Sequence, residues 1–305
     1  MDQHLLKVDG VSVSRLEDLR LITGAGRYAA DWNLRGQLHG CFVRSDRAHA
    51  RIVALDVSDA RAHPGVVGVY TGEDAVRAGY TQSPNLLSFT GKNGMKLRST
   101  PRPVLAQGTV RFVGDLVALV MAESAAIAQD AAALVQVEYE ELPVVISPEE
   151  AISAGAPQLH ESVPDNVPFE YEAGNAAAAE AAFAAAAHVT HLKLESTRVT
   201  PSPMEPRACL VAFDAHDESY TVHVCVQGVN MMRKQLAAYT KLPEEKFRIV
   251  ARDVGGGFGQ RSAVYPEYCA LMIAAKATGH PVKWISTRSE GFMADTHGRG
   301  NIVDA

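Results

Sequence analysis

Four cysteines are all the sequence holds, and Cys41, Cys209, Cys225 and Cys269 lie far apart with no CxxC spacing. A local disulfide framework and a cysteine-bound zinc are thereby excluded, and buried free thiols are expected. No stretch approaches the roughly 20 apolar residues of a membrane span. The opening Met1-Asp2-Gln3-His4-Leu5-Leu6-Lys7 lacks the apolar core of a signal peptide, so the expected compartment is the cytoplasm. A basic excess is missing too: 29 Lys and Arg face 35 Asp and Glu, and the net charge of −6 is spread along the chain. Neither nucleic acid nor an anionic membrane surface is an expected partner.

What is present is a chain of 305 residues, 47% of them hydrophobic, enough to bury one or two ordinary cores. Val66-Val67-Gly68-Val69-Tyr70 and Leu116-Val117-Ala118-Leu119-Val120-Met121 are compact apolar runs of the buried-strand type. Ser124 is placed to cap an alanine-rich helix from Ala125 to Leu134, and Val135-Gln136-Val137-Glu138-Tyr139 alternates like a half-buried strand. Tyr220 to Gln227 also alternates, which places His223, Cys225 and Gln227 on one face, with Gln227 at the strand's end. A short amphipathic helix is expected over Met231–Tyr239 and a strand over Phe247–Val254. Pro266 suits the first position of a helix to about 277, with Glu267 in its first turn and Gly279 past its end. Val282-Lys283-Trp284-Ile285 reads as a strand, and Asn301 to Ala305 as the start of another element.

The order is α+β rather than regular βαβ. Pro143, Pro148 and Ala154-Gly155-Ala156-Pro157 punctuate a weakly periodic stretch, and Asn175 can cap a run of alanines to Ala187. The chain therefore divides into a domain over 1–150, a crossing segment with that helix over 151–190, and a second domain over 191–305.

The densest anomaly is Gly255-Gly256-Gly257-Phe258-Gly259. So many glycines mean either torsions closed to other residues or an approach too close for a Cβ. No Gly-Lys-Ser/Thr ending makes it a P-loop, and neither it nor Gly24-Ala25-Gly26 carries the GxGxxG and later acidic residue of a dinucleotide loop. A tight bulge and a ligand loop are equally compatible with the glycines alone.

The segment's neighbours resolve its meaning by likeness. Met204-Glu205-Pro206-Arg207, Gln227, the glycines, Tyr265-Pro266-Glu267, Gly279-His280-Pro281-Val282-Lys283-Trp284 and Arg288-Ser289-Glu290 occur in that order. Upstream stand Arg15-Leu16-Glu17-Asp18, Thr23-Gly24-Ala25-Gly26-Arg27-Tyr28, Arg44-Ser45 with His49-Ala50-Arg51-Ile52, and Phe112-Val113-Gly114-Asp115 with Val117-Ala118. Together they resemble the front portion of the molybdopterin-binding large subunits of the xanthine dehydrogenase and aldehyde oxidase family, of the carbon-monoxide-dehydrogenase type. The resemblance covers essentially the whole chain. It implies a hammerhead-type α/β domain followed by the first part of a molybdopterin-binding α+β domain.

It also implies a molybdenum cofactor, expected in the cytosine dinucleotide form, that oxidises or hydroxylates a small substrate with oxygen from water. Electrons would leave through 2Fe-2S iron–sulfur clusters on a small subunit and FAD on a medium subunit. Gln227 matches a side chain that hydrogen-bonds an oxo ligand of the metal. Gly256, Gly257, Phe258 and Gly259 match the backbone that approaches the pterin, which holds the metal without protein ligands. Arg261 and Ser262 fall at the substrate pocket, and Ser262 stands where purine-oxidising relatives have a glutamate, which disfavours a purine. Glu205 is expected to be a structural carboxylate paired with Arg207 or a backbone amide, His223 a packed histidine, and Cys225 a buried thiol. No catalytic residue is expected in this chain. The family's glutamate base belongs to a later region, so a second chain carrying the rest of the molybdopterin domain is an expected partner, unless the gene is incomplete. Two other readings stand: an inactive fragment or assembly protein that keeps the fold, and a flavin or nicotinamide protein, disfavoured by the missing acidic residue.

Overall fold

The structure, a computed structural model, describes residues 15–80, 89–100 and 102–305. The segment Met1–Lys7 considered above for targeting lies outside them. Twelve strands occur among the described residues: β1 (Leu38–Arg44), β2 (Ala50–Asp56), β3 (Val66–Thr71), β4 (Thr109–Val110), β5 (Leu116–Ala122) and β6 (Gln136–Glu141), then β7 (Lys193–Ser196), β8 (Ala208–Asp214), β9 (Ser219–Val224), β10 (Phe247–Val250), β11 (Val282–Ile285) and β12 (Asn301–Asp304). Seven form one sheet in the order β10-β9-β8-β11-β1-β5-β3. Two small sheets stand beside it, β4-β2-β6 and the ribbon β12-β7.

The large sheet is built from both sides of the expected crossing. β11 runs parallel to β1, pairing Val282 with Leu38 and Lys283 with His39. β8 and β5 flank that junction antiparallel. β5 is buried along its whole length, as its unbroken apolar run demands. A helix over Pro266–Thr278 lies on the sheet with every residue from Pro266 to Ala275 buried. One apolar core runs through it, joining Leu38, Phe42 and Leu119 to Val222, Leu271 and Trp284.

Local signals translate directly. The Ser124 side chain accepts from Ile127 N, Asn175 accepts from Ala178 N, and Gly279 closes its helix at φ 69° in the left-handed region. The helix expected over Met231–Tyr239 is slightly longer, Val229–Thr240. The strand expected to Val254 stops at Val250, because Asp253 leaves the sheet to accept from both guanidinium nitrogens of Arg20 at 2.7 Å and from Arg27 N at 2.6 Å. β9 likewise ends at Val224, so Gln227 lies three residues past the strand, in the loop that follows it.

Candidate functional site

Residues 255–259 form a loop between β10 and the helix Pro266–Thr278, and each glycine has a separate reason. Gly256 and Gly259 adopt φ 106° and 86°, the left-handed side of torsion space. A Cβ on Gly255 would lie 2.5 Å from the Glu205 Cβ, and one on Gly257 would lie 2.5 Å from Cγ and Cδ of Gln227. The loop is thus pressed against two side chains that sequence places far from it. Phe258 itself sits at φ 49° and is 72% exposed.

Gln227 holds the loop from one side. Its Oε1 accepts from Gly259 N at 3.0 Å, Arg261 N at 3.2 Å and Ser262 Oγ at 3.2 Å. Three donors fix which end of the amide is oxygen, and Nε2 of this exposed residue has no partner among the described residues. Its main-chain N donates to Arg261 O at 3.1 Å. Glu205 holds the other side: Oε2 accepts from Gly255 N at 2.7 Å and Oε1 from Ala29 N at 3.1 Å. Between these anchors the amides of Gly256, Gly257 and Phe258 have no partner among the described residues. The buried Gln260 side chain also leaves both polar atoms unpartnered. A short row of unpaired N–H groups flanked by an exposed carboxamide is a donor surface for an oxygen-rich ligand.

Below the loop lies a buried ionic frame. Arg207 donates to Glu267 at 2.8 Å and to Asp295. Arg44, from β1, reaches the same Glu267 oxygen at 3.0 Å and Glu290 at 2.9 Å. Burial alone would raise the Glu267 carboxyl, but Arg207 and Arg44 hold it well below the usual carboxylate range. Arg207 stacks 3.9 Å above the Tyr265 ring, which faces the loop through Tyr265 Oη donating to Gln260 O at 2.9 Å.

Several sequence expectations change here. Arg261 is not at an open pocket: it is buried, and its Nη2 donates to Glu205 O at 2.8 Å, because the turn after Gly259 folds its side chain under the loop. Gly259 does not offer its amide outward, since Gln227 takes it; the free amides are those of Gly256, Gly257 and Phe258. Ser262 does come beside Gln227. Glu205 pairs with backbone amides, whereas Arg207 binds Glu267 and Asp295 instead. Glu267, expected only to favour its helix's first turn, is the centre of the ionic frame. His223 packs on Trp32 with ring centroids 4.4 Å apart, and Cys225 is a buried thiol. Cys209 and Cys269 are buried as well, and Cys41 half-buried, its thiol pushed up by burial and by Glu290 to about 11.

The loop is therefore a donor surface on a mixed sheet, and among the described residues no group of three or more His, Cys, Asp or Glu side chains is placed to hold a metal ion. Residues 23–143 match the family described as "Aldehyde oxidase and xanthine dehydrogenase, a/b hammerhead domain", and residues 159–305 match "Molybdopterin cofactor-binding domain". The chain is 37% identical to the nicotine 6-hydroxylase large subunit of Paenarthrobacter nicotinovorans, over 97% of this chain and 35% of that protein. It superposes on carbon monoxide dehydrogenase from Oligotropha carboxidovorans with a TM-score of 0.86 at 33% identity, covering 95% of this chain and 36% of that one. On quinoline 2-oxidoreductase from Pseudomonas putida 86 the score is 0.80 at 38% identity, with coverage of 95% and 36%. The chain belongs to the xanthine dehydrogenase and aldehyde oxidase family, matching the N-terminal portion of its molybdenum-binding large subunits. It spans about a third of the length of these relatives.

Proposed function

We propose that the chain is a component of a cytoplasmic molybdenum hydroxylase that binds molybdopterin and acts on a small non-purine substrate. The carrying observation is the donor row: three unpaired amides at Gly256, Gly257 and Phe258 beside the free Nε2 of Gln227. These residues fit the cofactor, because oxygen-rich groups need N–H donors and the loop has spent none of these four on itself. Gln227 adds a donor without adding charge, and Gly257 leaves room for Gln227 to reach its place. When bound, the cofactor supplies two-electron oxidation with oxygen taken from water. The protein's own contribution here is orientation: the carboxamide is locked by three contacts and cannot rotate away.

The cytosine dinucleotide form, iron–sulfur and FAD-bearing partner subunits, and a further chain or region with the rest of the molybdopterin domain and the glutamate base belong to the same proposal. The chain's coverage of only 35% to 36% of its relatives supports the need for that further region. Ser262, engaged with Gln227, cannot present the carboxylate that a purine would use.

The experiment is to express the chain with and without the adjoining reading frames and measure molybdenum and pterin per chain. The metal and pterin are expected only in the assembled form. A second arm is Gln227→Glu, which keeps the acceptor for Gly259, Arg261 and Ser262 but removes the Nε2 donor. That variant should fold normally and retain on the order of tenfold less cofactor, the scale of one lost hydrogen bond to an ionised group. Undiminished retention, or an assembled wild type without pterin, defeats the proposal.

A further inference from the structure

The glycine loop is gripped from two directions, and the grip opposite Gln227 involves more than loop residues. Glu205 is buried, and its carboxylate spans two main-chain amides that are otherwise unrelated, Gly255 N at 2.7 Å and Ala29 N at 3.1 Å. The same residue's own backbone completes the clamp: Glu205 N donates to Gly255 O at 3.2 Å, and its carbonyl accepts Arg261 Nη2 at 2.8 Å. All four contacts converge on the entrance and exit of the glycine loop or on the turn at Ala29. That turn is itself pinned, because Lys283 of β11 donates to Ala30 O at 2.7 Å, Trp32 O at 2.9 Å and Asn33 Oδ1 at 2.8 Å. A cleft of about 320 Å³ lined by Tyr28, Met204, Glu205 and Gly255 opens beside the clamp.

We propose that Glu205 is a positioning residue that sets the register of the glycine loop against the Tyr28–Ala29 turn, so that the amides of Gly256, Gly257 and Phe258 face the ligand together. It touches no ligand itself; both of its oxygens are committed to protein N–H groups. The chemistry explains why a carboxylate is used. Two amide donors approach from different segments and reach separate oxygens, Gly255 N at Oε2 and Ala29 N at Oε1, and a carboxylate offers an acceptor to each. Glutamine would turn one end into a donor facing a donor, so an isosteric change breaks one arm of the clamp while leaving the packing in place. The absence of a Cβ at Gly255 is the second half of the device, since that atom would fall 2.5 Å from the Glu205 Cβ and force the two segments apart.

The inference rests on the reading of the loop as a cofactor cradle, and the test separates the two. In the enzyme assembled with its partner chains, wild type, Glu205→Gln and Ala29→Pro are compared for pterin per chain and for amide hydrogen exchange at Gly255 and Gly259. Ala29→Pro removes the single N–H that Oε1 accepts while leaving Glu205 unchanged, and proline suits the first position of the short turn that Ala29 begins. Glu205→Gln is expected to speed exchange at Gly255 on the order of tenfold or more, leave Gly259 protected by Gln227, and lower pterin retention in parallel. Ala29→Pro is expected to produce a smaller change in the same direction. Faster exchange at Gly255 with pterin retention unchanged, or full protection of Gly255 in Glu205→Gln, overturns the positioning role. A wild type that assembles without pterin overturns the cradle reading, and the exchange data then still report whether Glu205 sets the loop.

Discussion

At the scale of single residues the buried charges beneath the loop are unevenly paired, with Glu267 Oε2 and Arg207 Nη1 lacking a hydrogen-bond partner among the described residues. Glu267 is fully buried, yet one of its oxygens collects Arg207 and Arg44 at once. Its folded carboxyl titrates below the ordinary value because the two guanidinium groups overcome the desolvation that burial imposes. For a group depressed in the folded state, the stabilisation is complete above the unfolded value of about 4.3 and is lost as pH falls below it toward the folded value. Glu267→Gln removes the charge that the two buried cations share, leaving Arg207 only Asp295 and Arg44 only Glu290 as an anionic partner, so at neutral pH it is expected to cost about 3–5 kcal/mol. The variant also lacks the proton-linked loss in acid. The gap in melting temperature between wild type and variant should therefore narrow as pH drops below about 4.5, and a gap independent of pH from about 7 to 3 would show that the two guanidinium groups do not depress the carboxyl in the fold.

At the scale of elements, stability is very uneven. The helix Pro266–Thr278 is buried on almost every side, whereas the alanine-rich helix Ala176–Ala185 buries no residue at all. Ten residues of helix without a packed face are marginal in water, so its Asn175 cap matters out of proportion. Asn175→Ala should speed amide exchange over residues 178–185 severalfold, by about 1 kcal/mol of local stability, and leave the global melting temperature unmoved. A drop in the global transition would mean that this helix is coupled to the core after all. These two helices were equally legible in the sequence, because caps, a first-position proline and a terminal glycine are local signals. Strand β9 was legible for the same reason, through its alternation. What the sequence did not show is what each element touches. Ala29 binds Glu205 through a main-chain N–H, which every residue but proline possesses, so nothing in the side chains marks the contact. The glycines stood out because four together are costly unless a close approach needs them, and Gln227 because it was read at a strand's end and by likeness to the family. Arg261 was placed at a pocket by likeness alone, and its side chain is instead buried and donates to Glu205 O.

For the whole molecule, the two family-matched regions, 23–143 and 159–305, share one sheet and one core. The parallel pairing of β1 with β11 is the seam, and no local pattern encodes a partner some 240 residues away. Trp284 sits on that seam, buried, with its ring edge-on to Phe42 at 5.3 Å and the Arg207 guanidinium 5.1 Å from its centroid. It therefore joins a strand of the first region to the ionic frame under the glycine loop. Trp284→Ala should cost about 3–5 kcal/mol, the usual range for emptying a large aromatic site in a core. Because the core is continuous, the loss should appear equally in both regions rather than in the second alone. Amide exchange measured on β5 and on the helix Pro266–Thr278 reads this out, since both elements are buried. Parallel loss of protection in the two is the expected result. Protection that falls in the helix while β5 keeps its wild-type value would show that the seam joins two independently stable units, and that the loop's support from Arg44 is dispensable to the first of them.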